Sequence, residues 1–399
     1  MPQLMNAFPA SAETQVTLAN WRSAPFNGWA FHHIREIMPT ADIAHEPDHI
    51  RPLPRDIVDL SGFRIDTGAG RSLTFQQFLT ETNTDGLVIL KGGRLMFEHH
   101  AHGMTARSPH ILMSVTKSML GLLAGILADQ GQLDCARPVT DYVPEIAGTA
   151  YAGATVRDLL DMRVGIAFAE DYLATSGPIV EYRKSTGWNP LGPGETPSDL
   201  RSFFSTLTSA GGAHGGPFNY VSPNSDLLGW VIERATGRRF ADVMAKLLWQ
   251  PMGAADAAYI TVDRLGAPRC AGGMCATTAD LARIGQLLVD GGKNGMRQVL
   301  PAAWIEDIFD AGDAKAWDAG NFAPLFPGIP MHYRGKWYVE RGAPPLLYGV
   351  GIHGQNLFID RRNEIVIAKF SSQALPLDAE RIALTARAVA AIRRALTTG

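Results

Sequence analysis

Ser114 and Lys117 stand three residues apart in LMSVTKS, at the opening of a segment whose apolar residues Met119, Leu122, Leu123, Ile126 and Leu127 recur at helical spacing. Positions three apart on a helix share a face, so the lysine nitrogen comes within reach of the serine hydroxyl. A serine in the first turn also meets free backbone N–H groups and the positive end of the helix dipole, both of which favour a developing alkoxide. The pair suits a nucleophile and its base. For Lys117 to accept a proton near neutrality its pKa must fall by about three pH units, which costs about 4 kcal/mol and requires burial. The same residues fit equally a serine N-cap followed by a solvated lysine, although a lysine there opposes the dipole. A hundred residues later Tyr220, Ser222 and Asn224, in FNYVSPNSD, precede another helical pattern beginning near Ser225. That turn either offers a phenol and small polar groups to a cleft or is a packed tyrosine ahead of an N-cap.

Other motifs point nowhere. HEPDH (45 to 49) has the letters of a zinc-protease H-E-x-x-H, but Pro47 breaks the helix on which both histidines would have to share a face. His99, His100 and His102 sit at a strand end, where a solvated edge is expected rather than a metal site. Cys135, Cys270 and Cys275 are too few for a disulfide framework and are expected to be reduced, buried, apolar side chains. The G-x-S-x-G elbow and the glycine patterns of dinucleotide and P-loop sites are missing, so no cofactor or metal is expected.

The elements that must position Ser114 and Lys117 follow from local pattern. DGLVILKGGRLMFEHH (85 to 100) reads as two strands joined by Gly92-Gly93. TVRDLLDM (155 to 162) starts a helix with Thr155 and Asp158 placed for a capping box, and SDLRSFFSTL (198 to 207) starts one with Ser198 as cap. SDLLGWVIERATG (225 to 237) and FADVMAKLLW (240 to 249) continue the helical run. Strand patterns return in YGVGIHGQNLFID (348 to 360) and EIVIAKFSS (364 to 372), and a last helix runs from Asp378 to Leu396. Early and late strands around a helical middle predict an α/β domain from residues 1–130 and 270–399, with a mostly helical domain, 131–269, inserted in it and the site between them.

Composition agrees with two packed units, since 399 residues exceed what one core usually serves and 46% of them are apolar against 19% charged. A net charge of −3, from 36 basic and 39 acidic residues without a basic block, argues against nucleic acid. The opening residues show no cationic, apolar leader and no stretch is long enough to span a bilayer, so a cytoplasmic protein without a membrane partner is expected.

The S-x-x-K at a helix start, TVRDLLDM, the tyrosine turn and GGMCATTADLARIGQLLVDGG (272 to 292) together resemble the class C β-lactamase and penicillin-binding superfamily over most of the chain. More narrowly, NGWAFHH, LMSVTKS, DYVPE, EDY, STGW, VSPNSD and GIHGQNLFID, in order from Trp29 to Asp360, resemble the 6-aminohexanoate-dimer (nylon oligomer) hydrolases. The resemblance implies a transpeptidase-like antiparallel sheet flanked by helices, a homodimer, and acyl transfer from a small ester or amide to the enzyme and then to water. It implies Ser114 as nucleophile, Lys117 as base, Tyr220 as the group that passes the proton to the leaving atom, and the amides of Ser114 and Ile352 as oxyanion donors. Tyr172 and Trp188 match residues of a loop that closes over substrate.

The superfamily's Lys-Thr-Gly is missing from the site strand. Gly349 to Gly354 stand there, which demotes β-lactam or peptide carboxylates; Ser222 and Asn224 of the tyrosine turn and His353 of this run are further expected substrate contacts. Arg183 occupies the place of an acid suited to an ammonium group, so a cationic substrate is disfavoured and esters come forward. The alternatives are a D-amino acid-specific peptidase or amidase, a β-lactamase, and a non-catalytic binding protein on the same scaffold.

Overall fold

The computed structural model describes residues 3–68 and 70–398. The strands that build its two larger sheets are β1 (Thr40–Ile43), β2 (Thr84–Lys91), β3 (Arg94–His100), β4 (His110–Ile111), β5 (Ala258–Thr261), β6 (Met274–Ala276), β7 (Met331–Arg334), β8 (Trp337–Glu340), β9 (Leu346–Gly351), β10 (Gln355–Asp360) and β11 (Ile365–Ser371). The helices that matter for the site are α1 (Val115–Asp129), α2 (Val156–Leu160), α3 (Pro178–Ser185), α4 (Pro223–Thr236), α5 (Thr278–Val289) and α6 (Ala379–Thr398).

Seven strands form one antiparallel sheet in the order β7-β8-β9-β10-β11-β2-β3, so the early hairpin closes against the last strand of the chain. Gly92 and Gly93 make its turn with φ of 56° and 73°, a conformation open to glycine and costly for other residues. The strands run apolar on both faces because both are covered. Val88, Leu90, Leu357, Val366 and Ala368 face the core that contains α1 and α5, while Leu87, Ile89, Phe358, Ile365 and Ile367 face Leu384, Ala388, Val389 and Ile392 of α6. That is why LVIL and IVIA read as continuous apolar runs rather than alternations. A smaller antiparallel sheet, β1-β5-β6-β4, leads directly into α1.

Helix α1 is buried all round from Val115 to Leu127, as a helix wedged between a sheet and a helical layer must be. Helix α2 has the expected capping box between Thr155 and Asp158. The helix near 200 begins at Leu200 and its cap is Asp199, whose carboxylate accepts from the Ser202 amide, rather than Ser198. The run at 348–360 is two strands, interrupted at Ile352–Gly354 by a single turn with His353 at φ 62°. HEPDH lies in and around an exposed turn, Pro47–His49. Among the described residues no helix is long and apolar enough to cross a membrane.

Candidate active site

Strand β4 ends at Ile111, and two residues later Met113 adopts φ 46° before α1 begins at Val115. A left-handed methionine is an uncommon conformation that the surrounding packing must hold, and it turns the chain sharply enough to put Ser114 at the helix mouth. Ser114 occupies the N-cap position, yet its hydroxyl caps nothing. It accepts instead from Lys117 Nζ at 2.9 Å. Lys117 is buried and also donates to the Ala271 carbonyl at 2.6 Å and Ser222 Oγ at 3.3 Å. The alternative of a solvated first-turn lysine is thereby excluded.

Burial is the main cause that brings the Lys117 pKa down to about 7; the Glu170 carboxylate acts against it, and the Arg269 guanidinium acts with it. Near neutrality a large share of Lys117 is therefore free amine. Its nitrogen lies 4.9 Å from the centroid of the Tyr220 ring, which itself stacks on Phe322 at 4.4 Å. The Tyr220 hydroxyl is hydrogen-bonded with Ser114, and burial raises its pKa, so the phenol keeps its proton.

Tyr220 and Ser222 sit on the turn that opens α4, where Ser222 holds the N-cap position without a capping bond. Ser222 donates its hydroxyl to Glu170 Oε1 at 2.5 Å and its amide to Oε2 at 2.9 Å. One turn further along α4, Asp226 pairs with Arg269, accepts from Tyr182 and takes the Ala271 amide at 2.7 Å. This buried group fixes the 269–271 turn and thereby aims the Ala271 carbonyl at Lys117. Paired burial of this kind is what makes a charge in the interior tolerable.

A cleft lies over Ser114 and Ser222. Tyr172, Arg183, Trp188 and Ile352 line it as well. Trp188 is held edge-on against Trp21 at 5.1 Å, with its indole N–H on Thr261 Oγ1 at 3.1 Å. Arg183 donates to the carbonyls of Asp171, Tyr172 and Ala174 at 3.2, 3.0 and 3.2 Å, so it ties down the loop that carries Tyr172. The Tyr172 phenol is hydrogen-bonded with Glu170, and burial and that charge keep it protonated.

Two expected contacts are not brought to the cleft. Asn224 is fully buried in α4, where its Oδ1 accepts from Tyr151 at 3.0 Å, because it lies two residues round the helix from Ser222. His353 turns away with its left-handed backbone; its Nδ1 lies 2.7 Å from the Gln373 carbonyl and burial lowers its pKa to about 4. Conversely Arg22, Glu170 and Arg269 line the cleft and were not singled out by motif. Only Glu170, inside the EDY segment, carried a sequence signal.

Comparison with known proteins identifies the family. The Beta-lactamase family model matches residues 73–392. The chain is 36% identical over 365 residues to the 6-aminohexanoate-dimer hydrolase of Paenarthrobacter ureafaciens, covering 92% of this chain and 90% of that one. It is 25% identical over 224 residues to Esterase EstB of Burkholderia gladioli, covering 52% of this chain and 56% of that protein. The solved structure "Putative 6-aminohexanoate-dimer hydrolase from Bacillus anthracis" shares the fold with a TM-score of 0.88 over 98% of this chain and 99% of that one, at 24% identity. With a family model spanning most of the chain and a relative this similar along nearly its whole length, the protein belongs to the beta-lactamase family and is a serine hydrolase of that family.

Proposed function

We propose that the enzyme cleaves carboxylic esters and linear amides through an acyl-enzyme on Ser114. The observation that carries this reading is the 2.9 Å contact between Ser114 Oγ and a buried Lys117 whose pKa is brought down to about 7. Neutral Lys117 takes the hydroxyl proton as Oγ bonds to the carbonyl carbon. The resulting oxyanion is held by the amides of Ser114 and Ile352. Tyr220 hands its proton to the leaving oxygen or nitrogen as the bond to it breaks and takes the one held by Lys117 in its place, so the lysine returns to the free amine. Water then attacks the acyl carbon, gives its proton back through the same groups, and frees the acid and Ser114. Tyr172, Trp188 and Arg183 contact the substrate, and Ser222 with Glu170 holds Lys117 in place.

Gly351 is a test of the oxyanion assignment. A Cβ there would fall 3.0 Å from the Ser114 nitrogen and 2.8 Å from the Leu112 carbonyl, so only glycine lets the end of β9 lie against the nucleophile turn. Gly351→Ala is expected to lower kcat about 10²-fold or more by moving one amide off the oxyanion, with KM little changed. A normal kcat in a folded G351A protein would move the oxyanion site elsewhere.

The relative named for 6-aminohexanoate dimer and the relative named an esterase support amide and ester substrates respectively. The missing site-strand lysine favours these over β-lactams. The reading is checked by kcat/KM on 4-nitrophenyl butyrate, a linear anilide of the same acid and a chromogenic cephalosporin. Ester turnover above anilide, with the cephalosporin slowest, is expected; a cephalosporin turned over fastest would return the enzyme to the β-lactamases. The proposal also takes residues 131–269 as an inserted helical unit. It makes the protein a cytoplasmic homodimer, a compartment that suits the three free cysteines.

A further inference from the structure

The cleft over Ser114 holds more positive charge than its own residues answer. Three guanidiniums line it, those of Arg22, Arg183 and Arg269, against one carboxylate, Glu170. Arg269 is answered by Asp226 beneath it. Glu170 is engaged by the amide and hydroxyl of Ser222 and by the Tyr172 phenol. Among the described residues neither Arg22 nor Arg183 has a carboxylate within ion-pair distance. Arg183 rests on three neutral carbonyls of the 171–174 loop. Arg22 donates one N–H to Asn189 Oδ1, and its guanidinium lies 5.4 Å from the centroid of the Trp21 ring. Among the described residues the Arg22 side chain has no other hydrogen-bond partner, and Arg22 lines the cleft.

Arg22 is not a loose surface side chain. Trp21 beside it is 1% exposed, packs edge-on against Trp188 and donates its indole N–H to the Trp188 carbonyl at 3.1 Å. The arm of chain that carries Arg22 is thus fastened to a wall of the cleft, and the guanidinium is preorganised there. Arg183 and Arg269 are close enough, with burial as the larger cause, to bring the Arg22 pKa down to about 9. A guanidinium gathered with two others in a partly dry site is stabilised by an anion, and a carboxylate matches its fork of donors.

We infer that the cleft selects substrates bearing a carboxylate remote from the scissile bond, such as half-esters and half-amides of dicarboxylic acids, with Arg22 gripping that carboxylate and Arg183 supporting it. The inference rests on acyl transfer at Ser114 for its reaction but not for its binding. It also says why an ammonium group is a poor fit, because that cation would meet Arg22 and Arg183 with Glu170 already engaged.

The test compares the mono-4-nitrophenyl ester of adipic acid with 4-nitrophenyl hexanoate and 4-nitrophenyl 6-aminohexanoate, which share the leaving group and a six-carbon acyl chain and end in a carboxylate, a methyl and an ammonium group. A second arm compares 4-acetoxybenzoate with phenyl acetate, placing the carboxylate on the leaving group. In at least one arm the anion is expected to lead the neutral ester in kcat/KM by about tenfold or more, through KM, with the cationic ester last. Arg22→Gln is expected to collapse the anion-to-neutral ratio and Arg22→Lys to keep part of it. Equal rates for anion and neutral ester in both arms, or a ratio that survives R22Q, would overturn the inference. Calorimetric titration of the Ser114→Ala protein with adipate separates this from the chemistry: binding that weakens about tenfold in the S114A/R22Q double variant upholds the carboxylate site even if no ester is turned over. Undetectable binding of adipate to both proteins counts against it.

Discussion

Replacing Ser114 with alanine is expected to lower ester turnover by about 10⁴-fold or more, since it removes the atom that bonds to the substrate and leaves only the oxyanion donors and the cleft. One other hydroxyl lies near Lys117, that of Ser222 at 3.3 Å. It does not substitute, because Ser222 already donates to Glu170. The fold is expected to survive. The Ser114 hydroxyl caps no helix, and its loss leaves the Lys117 nitrogen on the Ala271 carbonyl. A melting temperature within about 2 °C of the parent is therefore expected, as for a change under about 1 kcal/mol in a protein of this size. Ester hydrolysis that persisted in a folded S114A protein would place the nucleophile elsewhere.

Lys117→Met is expected to act on activity and stability in opposite directions. Turnover falls by about 10²- to 10⁴-fold, the usual contribution of a positioned base. In the parent enzyme kcat/KM is expected to rise with pH through about 7, as Lys117 loses its proton, and that limb disappears in K117M.

Stability follows from linkage. The lysine pKa is lowered from 10.5 to about 7 on folding, so between those values the unfolded chain binds the extra proton and parent stability rises with pH. The penalty is fully present below about 7 and gone above 10.5, and at neutrality it is on the order of 4 kcal/mol. Methionine escapes it but leaves the Ala271 carbonyl without its 2.6 Å donor, which returns about 1 to 3 kcal/mol. K117M is thus expected to melt a few degrees above the parent at neutral and acid pH, with the margin shrinking as pH rises. A variant less stable than the parent at neutral pH would mean that Lys117 is not held neutral by burial.

What was legible in the sequence was what local rules govern. The Gly92-Gly93 hairpin, α1 and the Thr155–Asp158 capping box each depend on residues within a few positions of one another, whereas α4 opens at Pro223, two residues before the expected Ser225, and takes in Asn224. The break at Ile352–Gly354 was not legible, because 348–360 reads as one strand pattern and the turn depends on a left-handed His353 held by Gln373. Strands β7 and β8 were missed for a related reason: MHYR and WYVE are short, mixed in polarity and pair through the αL residue Lys336 rather than a glycine alone. The cap expected at Ser198 falls at Asp199, one residue on, where the backbone turns helical.

At the site, the serine and lysine were legible because they share one helical turn. Glu170 meets Ser222 across 52 positions and Arg22 meets Asn189 across 167, so their place in the cleft comes from tertiary packing alone. His353 and Asn224 were drawn in by nearness in sequence to Ile352 and Ser222, which the reversal at 353 and the rotation of α4 undo.

The central claim is that Ser114 becomes acylated. Its most direct test is intact-mass measurement of the enzyme quenched during turnover of a slowly deacylating ester, followed by peptide mapping. A mass increase equal to the acyl group is expected, located on Ser114 and missing from the S114A protein. Turnover without any adduct, or an adduct on another residue, would contradict it.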